Sequence, residues 1–265
     1  MNRRIATIVP IEHLDYIRDD SYIMALSYLV DYTKYAQFMR DRATDGQYVI
    51  LDNSTIELSE PENFSRYLEK ANDIRASCIV LPDYFKDSER TFEAVEQALT
   101  YISRTKVVHK FDIMVIPQGR TVNEWILSAA QMALLLRQYP YRMLWRRYVI
   151  GISYRYGFMF DSDRGVSVQY LEKYVCGDDL YNCKIHLLGC DTDPRKEVKP
   201  LLSRFTVQGV DSSYASVYAK HKIQMKPEIL AWPRPPREVN FVEDVYNENL
   251  LLNNIEVWRQ ACRPD

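Results

Sequence analysis

The sequence predicts a (β/α)8 barrel, because two patterns alternate along most of its 265 residues. Short apolar runs rich in β-branched residues recur, and such continuous runs are typical of parallel strands that are buried on both faces. Stretches with helical spacing of apolar residues lie between them, and eight strand–helix units close a barrel. The length and the 47% hydrophobic composition suit one domain of that size. An open, doubly wound sheet is the structural alternative.

The predicted strands are short, and the second and the eighth have the weakest apolar signal. In chain order they are Ile5–Val9, Ile23–Tyr28, Tyr48–Leu51, Cys78–Leu81, Ile113–Ile116, Tyr148–Ile152, Lys184–Leu188 and Phe205–Val207.

Helices are predicted between these strands and after the last one. Pro61 suits a first helical turn, and Thr121 with Glu124 three residues later is a capping-box pattern. The predicted helices are Pro61–Arg75, Ser88–Ser103, Thr121–Gln138, Val166–Val175, Tyr214–Ile223 and Phe241–Gln260.

The alternation stops after Ser212, which predicts two parts of the chain. Residues 1–215 are expected to form the barrel, and residues 216–265 an extension that packs on it. The extension should be irregular through the proline-rich segment Trp232–Arg237, because proline at this density prevents a helix. It should end in the last predicted helix.

Charge and cysteine content narrow the function classes. The net charge of −2 offers no bulk attraction for nucleic acid, although a local basic face would still attract it. Five cysteines without a CxxC pair argue against a structural zinc site and predict reduced thiols. The apolar run near the N-terminus is too short for a signal peptide, and no run approaches ~20 apolar residues. We therefore expect a cytoplasmic protein, in the host cytoplasm if a phage encodes it.

Acidic and amide side chains follow several predicted strands. Asp52, Asp83 and Asp211 come at the ends of the third, fourth and eighth strands, and Gln118 follows the fifth. A single Asp in such a place is often only a helix cap or a turn former. Functional groups of a barrel gather at the carboxyl ends of its strands, so three carboxylates and one amide there predict a shared site.

The order of these segments resembles the tRNA-guanine transglycosylase superfamily, whose (β/α)8 barrels exchange guanine in nucleic acid for a free 7-deazaguanine base. Each segment is short, and their joint order carries the resemblance. The segments are Asp52-Asn53-Ser54, Pro82-Asp83, Ile116-Pro117-Gln118-Gly119, Val149-Ile150-Gly151-Ile152-Ser153, His186-Leu187-Leu188-Gly189 and Gly209-Val210-Asp211.

The resemblance implies different roles for these residues in a pentosyltransferase. Asp211 would be the nucleophile that attacks the sugar C1′ and holds a covalent glycosyl intermediate. Asp52 would be the general acid and base. Asp83 would accept the N–H groups of the base, and Gln118 would both donate to it and accept from it. The other base-binding residues implied are Asn53, Ser54, Gly119, Gly151 and Ile152. Aromatic walls for an extruded base are expected from Tyr84, Phe85 and Tyr154.

Departures from the family pattern point to its DNA-modifying branch. Asn53-Ser54 replaces a glycine-rich turn, and the family's CxCxxC zinc site is absent after Asp211. The chain is also shorter than a typical tRNA enzyme. These features look more like the compact phage and bacterial DpdA-type enzymes, which insert 7-deazaguanines into DNA. DNA and a free preQ0-like base are thus the expected partners, without a metal or redox cofactor. tRNA is the alternative substrate. Members of the family often pair their barrels, so a homodimer is a further possible partner state.

Basic residues near the site segments are candidate phosphate contacts. They are Arg120, Arg155, Lys220, Lys222, Arg234 and Arg237. Another group, Arg142, Arg146 and Arg147, comes just before the sixth strand, at the opposite end of a barrel. For that group a solvated face is expected.

Two other functions are compatible with the same residues. A non-catalytic relative would keep the barrel and bind nucleic acid or a partner subunit, although retention of both mechanistic carboxylates argues against it. An unrelated barrel enzyme, such as a lyase, would use the same strand ends but would not bind guanine or a 7-deazaguanine.

Overall fold

A computed structural model describes residues 4–105, 111–138, 141, 147–159, 164–177, 183–231 and 234–264, with only the backbone at 157–159 and 231. Eight parallel strands pair in the order β1-β8-β7-β6-β5-β4-β3-β2, and β1 also lies beside β2. The sheet is thus a nearly closed (β/α)8 barrel, as predicted. The strands are β1 Arg4–Thr7, β2 Tyr22–Leu26, β3 Tyr48–Asp52, β4 Cys78–Val80, β5 Asp112–Val115, β6 Tyr148–Ser153, β7 Cys183–Leu188 and β8 Val207–Ser212.

Helices surround the barrel. They are α1 Thr33–Thr44, α2 Thr55–Leu58, α3 Phe64–Asp73, α4 Ser88–Arg104, α5 Val122–Arg137, α6 Tyr154–Met159, α7 Arg164–Tyr170, α8 Val198–Leu202, α9 Tyr214–Lys220 and α10 Glu248–Cys262. Short 3-10 helices cover Ile11–Ile17, Ser27–Asp31 and Pro227–Ala231, and a π-helical stretch covers Leu171–Cys176. The last helix, α10, packs on α8, α9 and β1.

The eighth strand differs from its prediction in a way that matters for the site. The apolar run predicts Phe205–Val207, whereas β8 begins at Val207 and continues to Ser212. Gln208 and Gly209 interrupt the apolar pattern, although the backbone continues its ladder with β1 and β7. Asp211 therefore lies inside the strand, paired with Ala6 of β1.

Side-chain caps decide where several helices begin. The Asn63 side chain accepts from the backbone of Ser65 and Arg66, so α3 starts after it and not at Pro61. The Thr121 side chain caps α5 as predicted, by accepting from the Glu124 N–H. The Glu124 carboxylate does not complete the box, because it accepts from the Arg120 N–H instead.

Two further differences concern helices. The sequence analysis did not predict α1, whose buried face consists of only Tyr35, Ala36 and Met39. The predicted last helix Phe241–Gln260 begins later, at Glu248, where the Asn247 side chain accepts from the Leu250 N–H.

The cysteine prediction was wrong for one pair. A disulfide joins Cys176, at the end of the π-helical stretch, to Cys183, at the start of β7. Their Cα atoms are 5.6 Å apart, a distance that suits a disulfide. A separation of seven residues along the sequence does not by itself predict such a pair. Three other cysteines, Cys78, Cys190 and Cys262, are buried and are not in a disulfide. In the described ranges, no helix is long and apolar enough to cross a membrane.

Candidate active site

A cavity of about 310 Å³ opens at the carboxyl ends of the strands. Five predicted catalytic and base-binding residues line it: Asp52, Asn53, Asp83, Gln118 and Asp211. The predicted aromatic walls Tyr84, Phe85 and Tyr154 line it too, together with the basic residues Arg155, Arg234 and Arg237. Of the other predicted base-binding residues, Ser54, Gly119, Gly151 and Ile152 are buried and do not line the cavity.

Asp83 is held between two amides on one side of the cavity. Asn53 Nδ2 donates to Asp83 Oδ1 at 2.7 Å, and Gln118 Nε2 donates to Asp83 Oδ2 at 2.6 Å. The Gln118 oxygen already accepts from the Lys86 N–H and the Tyr156 hydroxyl. Gln118 therefore offers a ligand its remaining N–H, and Asp83 offers the unused lone pairs of both oxygens.

Burial shifts the pKa of Asp83. Removal from water raises its pKa to about 6, although the bonds from Asn53 and Gln118 favour the carboxylate and oppose the shift. Asp83 is therefore ionised at neutral pH, as an acceptor of N–H groups must be, and it becomes protonated in mild acid.

Asp52 has a different environment at the end of β3. Burial, and then the nearby carboxylates of Glu57 and Asp211, raise the pKa of Asp52 well above its ordinary value. The Ser54 N–H donates to Asp52 Oδ2 at 2.9 Å and opposes this shift. Its surroundings therefore favour the protonated carboxyl group, which is the form that can donate a proton to a ligand.

The turn after Asp52 is built without glycine. Ser54 adopts a left-handed backbone with φ of 53°, a conformation that glycine adopts at no steric cost. Its hydroxyl accepts from the Ser27 N–H at 2.9 Å, and the Asn53 oxygen accepts from the Thr55 N–H. These hydrogen bonds fix the conformation of the turn. Ser54 therefore stabilises the segment that carries Asp52 and Asn53 and does not itself line the cavity.

Asp211 lines the cavity from β8. Its Oδ1 atom is 2.9 Å from His186 Nε2 and 3.4 Å from the backbone nitrogen of Gly189, which donates to it. His186 is fully buried, and its Nδ1 is 2.7 Å from the Tyr22 hydroxyl. The sequence analysis placed His186 in a matching segment but gave neither His186 nor Tyr22 a role, since no spacing rule links residues 164 positions apart.

An aromatic and basic rim borders the cavity beside Asp83. Phe85 is 43% exposed, and the Arg155 guanidinium and the Lys86 ammonium lie 5.1 and 5.3 Å from the centre of its ring. Neither cation has a carboxylate partner among the described residues. Ile56, which is 54% exposed, lines the same cavity from α2. This rim joins an exposed apolar surface to positive charge that no described carboxylate neutralises.

The other predicted phosphate contacts are less available. Arg234 pairs with Asp191 at 2.7 Å and donates to the Cys190 carbonyl, while Arg237 pairs with Glu57. Lys220 pairs with Asp244. Two more, Arg120 and Lys222, are exposed but do not line the cavity.

The basic group before the sixth strand is only partly described. Arg142 and Arg146 lie outside the described residues. Arg147 is at the base of the barrel, where it pairs with the fully buried Asp112 at 2.8 Å. The Tyr48 hydroxyl donates to the same carboxylate. The expected solvated face is thus wrong for Arg147, because a buried carboxylate holds it.

No group of three His, Cys, Asp or Glu side chains arranged to hold a metal ion occurs within the described part of the chain. Neither a scan against models of known protein families nor a search of curated proteins found a match to this chain.

Proposed function

We propose that the protein exchanges guanine in DNA for a free, preQ0-like 7-deazaguanine base through a covalent intermediate on Asp211. One observation carries the proposal: two carboxyl groups in different surroundings line one cavity. Asp52 is placed to hold a proton, because burial and neighbouring carboxylates raise its pKa. Asp211 Oδ1 accepts from the Gly189 N–H and lies 2.9 Å from His186 Nε2. Displacement at a glycosidic carbon uses such a pair as acid and nucleophile.

The exchange has two balanced halves. In the first, Asp211 attacks C1′ of the nucleotide, the bond from C1′ to guanine breaks, and Asp52 gives its proton to the leaving base. In the second, Asp52 takes the N9 proton of the incoming base, N9 attacks C1′, and the ester bond to Asp211 breaks. Both carboxyl groups end as they began.

Base recognition is assigned to the Asp83 side of the cavity. The Asp83 oxygens accept the ring N–H and the exocyclic amine of guanine, and the remaining Gln118 N–H donates to the exocyclic oxygen. Guanine and 7-deazaguanine present the same edge and differ at position 7. One pocket can therefore bind the leaving base and then its replacement.

DNA contact is assigned to the rim. A base must leave the duplex to reach the cavity. The exposed Phe85 ring provides a stacking surface, and Lys86 and Arg155 provide charge for the phosphates. The preference for DNA over tRNA rests on the absence of the family's CxCxxC motif after Asp211.

Nucleoside analysis tests the proposal directly. The protein is incubated with a free 7-deazaguanine and either a guanine-containing DNA or tRNA, and the digested nucleosides are identified by mass spectrometry. We expect the modified nucleoside in DNA, and none with Asp211→Ala. Incorporation into tRNA alone would support the alternative substrate. Incorporation into neither nucleic acid, or normal incorporation by Asp211→Ala, would contradict the proposed mechanism.

A further inference from the structure

We propose that His186 and Tyr22 are positioning residues that hold one oxygen of Asp211 and leave the other to react. The chemical meaning of this inference rests on the proposed function. The hydrogen-bond chain itself is a property of the fold, and it can be measured without activity.

The three side chains form a continuous path inside the barrel. Tyr22 is the first residue of β2, His186 is in β7, and Asp211 is near the end of β8. Tyr22 and His186 have relative exposures of 1% and 0%. Direct contacts of 2.7 and 2.9 Å join the three side chains between the start of β2 and the end of β8.

The hydrogen bonds along this path have one favoured donor–acceptor direction. As a carboxylate, Asp211 can only accept, which places the imidazole proton on Nε2 and leaves Nδ1 to accept from the Tyr22 hydroxyl, whose pKa burial raises well above its ordinary value. A neutral imidazole that accepts at Nδ1 carries its proton on Nε2. That N–H then donates to Asp211 Oδ1. Tyr22 therefore stabilises the tautomer with which His186 binds the carboxylate.

Both donors to Asp211 bind the same oxygen. The Gly189 N–H also donates to Oδ1, and among the described residues Oδ2 has no hydrogen-bond partner. Gly189 has a φ of +66°, and a Cβ there would lie 2.6 Å from the Tyr154 ring, so the close approach requires glycine. Oδ2 is thus the nucleophilic atom, and Oδ1 becomes the ester carbonyl. The same donors stabilise the carboxylate when the ester breaks.

Two backbone features create room for the path. The ladder between β7 and β8 slips at Ile185 and His186, which leaves Gln208 unopposed and sets His186 beside Gly209. A Cβ on Gly209 would lie 2.7 Å from the Tyr22 ring. The glycine two positions before Asp211 therefore makes space for the tyrosine that fixes His186.

A kinetic comparison tests the role in catalysis. Tyr22→Phe keeps the ring and removes the hydroxyl that donates to His186. Tyr48→Phe is the matched control, because its ring stacks on Tyr22 at 5.4 Å but its hydroxyl donates to Asp112. The readout is the rate of covalent adduct formation with a guanine-containing DNA, followed by intact mass.

We expect Tyr22→Phe to form the adduct about 10-fold more slowly, the effect of one hydrogen bond on a barrier. Tyr48→Phe should match the wild type, and both variants should keep its affinity for free guanine, because the proposed base contacts, Asp83 and Gln118, follow β4 and β5. An unchanged rate in Tyr22→Phe would overturn the inference, as would an equal loss in Tyr48→Phe.

Nitrogen NMR of ¹⁵N-histidine-labelled protein tests the chain independently of activity. The His186 signal, assigned by its loss in His186→Gln, should show the Nε2–H tautomer in the wild type at neutral pH. A tautomer change in Tyr22→Phe is expected, and an Nδ1–H tautomer in the wild type would overturn the inference. If the expected tautomer is found but the wild type forms no adduct with DNA or tRNA, the proposed function fails and the hydrogen-bond chain stands.

Discussion

Gln118, which follows β5, donates its side-chain N–H to the carboxylate of Asp83, which follows β4, over 2.6 Å. Asn53 holds the other oxygen of Asp83, so its carboxylate is oriented before any ligand arrives. A recognition group fixed in this way does not lose rotamer freedom on binding.

Replacing Asp83 should remove base recognition and leave the fold intact. Asp83→Ala deletes the acceptor of two ligand N–H groups, and we expect at least about 10-fold weaker binding of free guanine by calorimetry. Asp87→Ala is the control, because Asp87 caps α4 and does not line the cavity. It should lower stability by about 1 kcal/mol and leave the affinity unchanged. Unaltered guanine binding in Asp83→Ala would place the base elsewhere.

Guanine affinity should fall as the pH drops through about 6, the pKa of Asp83. Only the carboxylate accepts both N–H groups. The pKa lies above the ordinary value of 3.8, so the folded protein takes up this proton before the unfolded chain does. From about pH 6 to pH 4, protonation of Asp83 therefore favours folding. Calorimetric titrations over this range, with unfolding followed in parallel, would separate weakened binding from unfolding. A flat affinity profile contradicts the assignment.

Asp52→Asn should slow adduct formation by about 100-fold or more, because an amide cannot supply the proton that the leaving base needs. The variant should fold normally, since burial disfavours the charged form of Asp52 and asparagine is uncharged. Intact-mass kinetics with guanine-containing DNA provide the measurement. A wild-type rate in this variant would exclude Asp52 as the proton donor.

The rim should contribute to nucleic-acid affinity more than other exposed cations do. Arg155→Ala removes a cation over Phe85 at the cavity edge and should weaken single-stranded DNA binding. It should also reduce the slope of log affinity against log salt by about one unit or less. Lys222→Ala is the comparison, because Lys222 is exposed but does not line the cavity. Equal effects in fluorescence-anisotropy titrations would show that the rim is not the docking edge.

Stability should depend strongly on Arg164, which is fully buried behind the cavity. It pairs with Glu197 and donates to the carbonyls of Ile152 and Leu188, at the ends of β6 and β7. Arg164→Ala leaves these groups without their partner and should lower the free energy of unfolding by about 3–5 kcal/mol in denaturant titrations. The more exposed pair of Arg204 with Glu172 is the control, where Arg204→Ala should cost about 1 kcal/mol or less. Comparable losses in both variants would contradict the prediction.

The sequence by itself determined the barrel and most of its site segments. Strands buried on both faces need continuous apolar runs, and this requirement is local enough to read along the chain. It placed seven strands close to their observed positions and put Asp52, Asp83 and Gln118 at strand ends. It ended the eighth strand too early, at Val207, because Gln208 and Gly209 break the apolar run, but Asp211 does lie at the carboxyl end of β8 as predicted.

Only the tertiary structure decided which of these site side chains form hydrogen bonds with one another. The bonds from Asn53 and Gln118 to Asp83, the path from Tyr22 through His186 to Asp211, and the disulfide between Cys176 and Cys183 all depend on how the chain packs. Strand register and barrel closure set these distances, and no local pattern in the sequence encodes either one. The carboxylates were therefore visible in the sequence, but their different hydrogen-bond partners, and the raised pKa values of Asp52 and Asp83, follow from burial and from residues far away in the chain.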